Sequence, residues 1–354
     1  MTRDIFGDSP VRERNFASDN NSGSCPEVLS ILEECNHHHA PGYGDDDWTK
    51  RAEDKVRDLF EADCSVFFVF NGTAANSLAL ATMCRSYHAI LCHRMSHVQT
   101  DECGAPEFFG GGTKVIGLEG KACRLSAETI EEAATRRDDV HFPKVKALSL
   151  TQATEVGTAY GLDELRGISE ACDRHDLRIH LDGARLANAL AKLEVSPKEL
   201  ISASKADALS FGSTKNGSPM GDAVVIFDKE LAREFAFRRK QAGQLASKMR
   251  YLAAPWIALL ENDLWLSNAN QANSIAEQLK IELSAIPEVK VLFPREANSV
   301  FVDIPEKVQA VLRAKGWLFY VFIGKTGCRL MCSWDLVSQD VEDFVTDLRE
   351  ALAL

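Results

Sequence analysis

The chain has 354 residues, which at roughly 150 residues per domain predicts about two domains. Its 40 basic and 52 acidic residues give a formal net charge of -12, which disfavours sequence-independent binding to nucleic-acid phosphates. The hydrophobic and charged fractions, 45% and 26%, are typical of an ordinary globular protein. Apolar stretches such as residues 66–70 fall far short of the ~20 residues that a transmembrane helix needs. We therefore expect neither a nucleic-acid nor a membrane partner.

The N-terminus alternates charged and polar residues and lacks the apolar region of a secretory signal. The 10 cysteines include no CxxC pair, and several lie within apolar patterns, so we expect buried free thiols. Both features favour a cytoplasmic protein.

Residues 1–45 carry loop chemistry rather than periodic structure, which predicts an ordered N-terminal arm or a lid. A helix is predicted from Trp48, because apolar residues then recur at helical spacing. Residues 65–70 form an apolar run typical of a buried strand, and a helix is predicted from residue 74 with Thr73 as its N-cap. This segment is therefore a strand, a tight turn and a helix.

The alternation of strands and helices continues for about 170 residues and predicts an α/β architecture with a mainly parallel sheet. After residue 229 the pattern is helical, and from residue 289 it is that of a small α+β domain. We expect an arm at 1–45, a large domain at 46–250 and a small domain at 251–354, connected by a long helix. The remaining predicted strands of the large domain are 89–92, 114–117, 145–150, 177–181, 206–211 and 224–227.

Three segments that follow predicted strands carry candidate functional groups. Gly72 and Thr73 lie where a strand meets a helix start, which favours phosphate binding, although such turns are common without a ligand. Asp182 ends an apolar strand, where open α/β sheets place ligands, although it could also cap the next helix. Lys215 follows a later strand in a Gly- and Ser-rich loop, 33 residues after Asp182.

Lys215 and Asp182 together favour a pyridoxal-phosphate site. A lysine can attach this cofactor as a Schiff base, and an acid can keep its pyridine nitrogen protonated. Two other patterns, the four-residue spacing of His93 and His97 and the polar stretch 37–47, favour solvated loop over metal binding. We therefore predict no metal site.

Several segments together resemble the threonine aldolase and β-eliminating lyase family. They are 71–76, 96–98 with 102–105, 180–185 and 214–215, and their order and spacing also match. The resemblance covers nearly the whole chain. It implies the aminotransferase-like fold of pyridoxal-phosphate enzymes and a homodimer or homotetramer with shared active sites.

Carried over by motif, the resemblance assigns the cofactor contacts. Lys215 would be the Schiff-base lysine, and Asp182 would hold the pyridine nitrogen. His97 would stack on the ring and relay a proton. Gly72 and Thr73 would hold the phosphate.

The resemblance also assigns substrate contacts. Arg329 would bind the substrate carboxylate, with Ser18 as its helper. Arg185 would reach either a cofactor oxygen or the same carboxylate.

Three departures from the family pattern are visible: Trp48 replaces a usual tyrosine, and two segments that bear on the site also differ. Residues 151–155 replace a segment whose histidine is often given a role at the substrate hydroxyl, so His97 and a water remain as acceptors of that proton. The cation that reaches the phosphate from a neighbouring subunit could be Lys248 or Arg250.

The resemblance implies cleavage of the Cα–Cβ bond of threonine, allo-threonine or related β-hydroxy amino acids such as phenylserine, giving glycine and an aldehyde. The alternative is a lyase or dehydratase that eliminates the β-substituent and yields a keto acid and ammonia. A cofactor-binding scaffold protein without activity is a weaker alternative, since the residues expected to act in catalysis are present. A nucleotide-binding oxidoreductase is also weaker, because no GxGxxG motif follows the first strand.

Overall fold

The computed structural model describes residues 14–353. Its larger sheet has seven strands in the order β1-β7-β6-β5-β4-β2-β3. β7 runs antiparallel to both neighbours, and the other pairs are parallel. The strands are Ser65–Val69 (β1), His88–His93 (β2), Lys114–Leu118 (β3), Lys144–Thr151 (β4), Arg178–Gly183 (β5), Ala208–Phe211 (β6) and Asp222–Ile226 (β7).

Helices connect these strands and cover both faces of the sheet. Most strand residues are buried, as a sheet covered on both faces requires. In chain order the helices are Pro26–Cys35 (α1), Asp47–Phe60 (α2), Gly72–Met83 (α3), His97–Thr100 (α4), Ala105–Phe109 (α5), Ala127–Thr135 (α6), Leu162–Arg174 (α7), Leu186–Leu193 (α8), Pro197–Ser204 (α9), Lys229–Gln241 (α10), Arg250–Leu260 (α11), Leu264–Ser284 (α12), Glu306–Ala314 (α13) and Ser338–Leu352 (α14).

The register of the central strands aligns their carboxyl ends. Thr151 of β4 pairs with Asp182 of β5, which pairs in turn with Ser210 of β6. The segments that follow these three strands therefore emerge at the same edge of the sheet. Gly212 helps to bring two of them together, because a Cβ at that position would lie 2.8 Å from the Ala184 backbone.

A second, antiparallel sheet has the order β10-β11-β9-β8. Its strands are Lys290–Val291 (β8), Ser299–Asp303 (β9), Tyr320–Ile323 (β10) and Gly327–Met331 (β11). The core on this sheet includes Leu279, Leu283 and Phe344, whereas Trp256 and Trp265 belong to the core of the large sheet. Helix α12 therefore passes from one core to the other. We propose that the division between the large and the small domain lies within it, some twenty residues after the predicted 250/251 boundary.

The N-terminal arm is more regular than its loop chemistry predicts. Phe16 pairs through its backbone with Leu318 and Met331 and stacks on Trp317 of the small core. A short 3₁₀ helix, Asp19–Asn21, and then α1 follow, and α1 packs on α11. The sequence pattern did not indicate α1, because loop residues flank it on both sides and conceal its short apolar face. Residues 1–13 of the predicted arm lie outside the described residues.

The capping of α3 also differs from the prediction. Asn71, not Thr73, is the N-cap, since its Oδ1 accepts a hydrogen bond from the Ala74 N–H at 3.0 Å. Asparagine caps at least as well as threonine, so the helix begins two residues earlier. Thr73 lies in the first turn instead.

All ten cysteines are free thiols, and Cys103 is exposed whereas the other nine are buried. Within residues 14–353, no helix is long and apolar enough to span a membrane.

Candidate active site

The candidate residues meet in one cavity of about 480 Å³ at the carboxyl edge of the large sheet. The small domain closes one side of it through β10 and β11. Of the eight predicted site residues, Thr73 does not line this cavity. The seven that do are Ser18, Gly72, His97, Asp182, Arg185, Lys215 and Arg329. The cavity therefore collects residues from both sheets and from the N-terminal arm.

Asp182 lies at the end of β5 with both carboxylate oxygens engaged. Oδ2 accepts a hydrogen bond from the side-chain amide of Asn76 at 2.9 Å, and Oδ1 accepts from the Ala184 backbone N–H at 3.0 Å. These bonds fix the carboxylate on the cavity wall. An acid held in this way suits a protonated ring nitrogen.

Lys215 lies in a 3₁₀ turn, Thr214–Asn216, directly after β6. Asp222 holds the start of this turn by accepting hydrogen bonds from the backbone N–H groups of Ser213 and Thr214, at 2.9 and 3.5 Å. Burial, and then the nearby Arg185 guanidinium, lower the pKa of the Lys215 amine. A lowered pKa makes a lysine amine more nucleophilic, as Schiff-base chemistry requires.

His97 begins α4 and belongs to a hydrogen-bonded chain. Its Nδ1 lies 2.8 Å from Oε1 of Glu102, and the Asn76 amide donates to that same oxygen at 2.8 Å. Asn76 also donates to Asp182, so the chain runs from the imidazole to the acid on β5. The hydrogen bond to Glu102 raises the pKa of His97, and burial raises that of Glu102. The contact holds the imidazole ring in one orientation.

Gly72 is the first residue of α3 and lies on the cavity wall. The first N–H groups of a helix lack intrahelical partners and favour an anion. Asn71 occupies one of these groups, that of Ala74. The N-terminus of α3 is therefore suited to a phosphate.

Arg185 forms a bidentate ion pair with Asp19. Its Nε and Nη2 donate to the two carboxylate oxygens at 2.7 and 2.9 Å, and Asn298 adds a third donor to Asp19 at 3.0 Å. Burial is the largest single influence and opposes ionisation of Asp19, but the charge and hydrogen bonds of Arg185, the Lys215 charge and the Asn298 hydrogen bond together outweigh it. They hold the pKa of Asp19 below its ordinary value. Arg185 is thus fixed by the N-terminal arm.

Arg329 of β11 lies over the rings of Tyr320 and Phe322, with its guanidinium carbon 5.5 and 5.1 Å from the centroids. Its Nη2 donates to the Ala17 carbonyl at 3.2 Å, and its buried Nε has no hydrogen-bond partner among residues 14–353. Burial lowers the pKa of Arg329 to about 10. Ser18, beside it in the cavity lining, caps the adjacent 3₁₀ turn by accepting from the Asn20 N–H at 3.1 Å.

Sequence reasoning missed four residues that shape this site: Asp19, Asn76, Glu155 and Asp222. Asn76 stands in the segment 71–76 that carries the resemblance, and Asp19 follows the expected substrate contact Ser18, but neither was assigned a role. Glu155 lies in the segment 151–155 that departs from the family pattern, and it lines the cavity. An acidic residue just after a central strand is the signal that could have found it.

The segments interpreted from sequence as solvated loop are partly structured, and both His93 and Asp46 are buried. His93 lies in β2, and its Nε2 is 3.2 Å from the Gly120 carbonyl. Asp46 caps α2 by accepting from the Thr49 N–H at 2.8 Å. In the described part of the chain, no group of three His, Cys, Asp or Glu side chains could hold a metal ion.

Comparison with known proteins agrees with this geometry. The model of the β-eliminating lyase family matches residues 15–307. The chain belongs to the β-eliminating lyase family. Within it, the chain is 49% identical to a low-specificity L-threonine aldolase of Pseudomonas sp., over 97% of this chain and 99% of that protein. It is 51% identical to a low-specificity L-threonine aldolase of Pseudomonas aeruginosa, over 95% and 97%.

Solved structures confirm the aminotransferase-like fold predicted for this chain. A threonine aldolase from Leishmania major has a TM-score of 0.89 at 28% identity, covering 95% of this chain and 98% of its own. The ureidoglycine-glyoxylate aminotransferase of Bacillus subtilis, with a TM-score of 0.69 at 14% identity, shares the fold alone. The α/β, aminotransferase-like fold class and the resemblance to this family are therefore confirmed.

Proposed function

We propose that the protein is a pyridoxal-phosphate-dependent aldolase that cleaves L-threonine, L-allo-threonine and related β-hydroxy amino acids into glycine and an aldehyde. The observation that carries this proposal is the meeting of Lys215, Asp182, His97 and Arg329 in one cavity. About 50% identity to two low-specificity L-threonine aldolases over nearly the whole chain supports the same reaction.

The residues of the cavity fit the cofactor. An amine of lowered pKa, a fixed carboxylate and an oriented imidazole lie around a space of about 480 Å³. Lys215 would attach the cofactor, Asp182 would bind its ring nitrogen, and Gly72 with the N-terminus of α3 would hold its phosphate. Bound there, pyridoxal phosphate supplies an electron sink for a bond broken at the substrate's Cα.

The remaining groups bind the amino acid and handle protons. Arg329 would bind the substrate carboxylate, with Ser18 beside it, because a guanidinium can bind a carboxylate through two hydrogen bonds. His97 would face the ring and hold or pass a proton at its Nε2, since its Nδ1 is committed to Glu102. Arg185, engaged by Asp19, would supply fixed positive charge near the cofactor.

We also propose a homo-oligomer with shared active sites, and a cytoplasmic location. The proposed homo-oligomer is supported by Arg239 and Arg250, because their buried Nε atoms have no hydrogen-bond partner among residues 14–353. The ten free thiols fit a reducing compartment. Light scattering of the purified protein will distinguish a monomer, a dimer and a tetramer.

Product analysis tests the proposed reaction. The holoenzyme is incubated separately with L-threonine, L-allo-threonine and L-phenylserine, and aldehyde, glycine, keto acid and ammonia are quantified. We expect aldehyde matched by glycine. Keto acid matched by ammonia would instead assign the runner-up, a β-eliminating lyase, which the named relatives do not favour.

A further inference from the structure

Glu155 presents an unsatisfied carboxylate oxygen at the candidate active site. Its Oε1 accepts hydrogen bonds from the Thr151 hydroxyl at 2.8 Å and from the His97 backbone N–H at 3.0 Å. Its Oε2 is shielded from solvent and has no partner in the described part of the chain. Buried polar atoms without a partner are uncommon in folded proteins and call for an explanation.

The other carboxylates that line the cavity, Asp182 and Asp101, are either hydrogen-bonded at both oxygens or exposed to solvent. Both oxygens of Asp182 accept hydrogen bonds, from Asn76 and Ala184. Asp101 is exposed and accepts a hydrogen bond from Thr100. Among residues 14–353, Glu155 is therefore the carboxylate of the cavity lining that has a buried oxygen without a hydrogen-bond partner.

We propose that Glu155 accepts the proton of the substrate's β-hydroxyl group, an inference that rests on the aldolase function proposed above. In that cleavage the hydroxyl O–H bond breaks and its proton passes to Oε2 of Glu155. The electron pair of the O–H bond becomes the second bond of the aldehyde carbonyl. The pair of the broken Cα–Cβ bond stays with the glycine half, which later takes up a proton at Cα, so the step needs no oxidant or reductant.

The surroundings of Glu155 suit a group that takes up and releases a proton. Burial raises the pKa of Glu155 to about 7, and the neighbouring Asp182 carboxylate also raises it, whereas the hydrogen bonds from Thr151 and His97 act in the opposite direction. A base whose pKa lies near the working pH is the most effective. Other titratable groups coupled to Glu155 through their charge are Arg185, Cys92, Cys123 and Tyr160.

His97 is the competing base of the cavity. Its Nδ1 is bound to Glu102, which leaves only Nε2 for a substrate. The backbone N–H of His97 donates to Glu155, so the two groups have fixed positions relative to each other. Substitution can separate their roles, because glutamine at 155 keeps an acceptor for the same two donors and cannot take up a proton at ordinary pH.

The test compares wild type, Glu155→Gln and a matched control, Glu296→Gln. Glu296 accepts from the Ala159 N–H at 2.9 Å near the same loop but does not line the cavity. Two reactions are measured on each holoenzyme: aldehyde release from L-threonine, and exchange of the glycine Cα proton with deuterium. Exchange uses the cofactor site but involves no hydroxyl group.

We expect Glu155→Gln to lower kcat for aldehyde release by roughly 10²–10⁴-fold, the usual contribution of a positioned acid or base, while deuterium exchange stays within about threefold. Glu296→Gln should leave both reactions unchanged. If Glu155→Gln cleaves at the wild-type rate, the proton goes elsewhere and the proposal is overturned. If both reactions fail together, Glu155 acts only on the architecture of the site, which also overturns it.

A wild type that exchanges glycine protons but releases no aldehyde refutes the aldolase function itself, separately from Glu155. Infrared difference spectra between wild type and Glu155→Gln add a readout that does not depend on turnover. We expect an ionised carboxylate at about pH 8, above the raised pKa. A carboxyl group still protonated there could accept no further proton and would overturn the proposal.

Discussion

The pH dependence of stability offers a direct check on the ionisation of Glu155. Glutamine keeps the shape of the protonated side chain and does not ionise, so Glu155→Gln removes only the titration. Burial raises the pKa of Glu155 to about 7 from its ordinary value of 4.5. Between those two values the folded protein binds more protons than the unfolded chain, so its free energy of unfolding falls as the pH rises.

The size of this loss follows from the two pKa values. Their separation corresponds to about 3 kcal/mol in favour of the neutral carboxyl group in the folded protein. Most of it, about 2–3 kcal/mol, develops between about pH 5 and pH 8. The variant lacks this loss, so its stability relative to wild type should increase by that amount over the same range.

Urea unfolding followed by tryptophan fluorescence measures this difference. Wild type and Glu155→Gln are compared at one protein concentration, because the stability of an oligomer depends on concentration. Steps between about pH 5 and pH 8 cover the window of the titration. Two curves that stay parallel within about 0.5 kcal/mol would refute the raised pKa, and a variant that loses stability relative to wild type would reverse its sign.

Three further predictions concern the groups around the cavity. Lys215→Ala should lower aldehyde release from L-threonine by on the order of 10³-fold or more, measured by a coupled aldehyde assay; turnover near the wild-type rate would remove Lys215 from the mechanism. Glu102→Gln should lower the pKa of His97, because the carboxylate raises it now; nuclear magnetic resonance titration checks this, and an unchanged pKa would contradict the contact. Asp19→Asn should cost about 3–5 kcal/mol in urea unfolding, since it leaves the buried Arg185 charge without its partner; a loss below about 1 kcal/mol would show that water compensates that charge.

The meeting of Asp182 and Lys215 could be predicted from sequence because it depends on local patterns. An apolar strand that ends in a polar residue is visible in the printed chain, and parallel strands bring such ends to one edge of a sheet. The observed register from Thr151 through Asp182 to Ser210 provides the alignment that this reasoning needs. The same patterns predicted the order of the strands along the chain and the separate small sheet.

The contacts of Asp19 could not be predicted in this way. It pairs with Arg185 across 166 residues of chain, and no local pattern marks such a partner. The prediction of the α3 N-cap was wrong for a different reason. Asn71 and Thr73 both have side chains that can cap a helix, and only the backbone conformation decides between them. The free oxygen of Glu155 depends on which neighbours donate to it, which is a property of the packed fold.

The ion pair of Asp19 with Arg185 also gives the two arginines of the cavity different electrostatic surroundings. Asp19 engages two nitrogens of Arg185 and balances its charge. Arg329 lies on the faces of Tyr320 and Phe322, which attract a cation without neutralising it. Burial lowers the pKa of Arg329 to about 10, which still leaves it charged at neutral pH. A carboxylate that enters the cavity gains most from the cation without a bound anion, so the geometry favours Arg329 over Arg185 as the group that binds the substrate carboxylate.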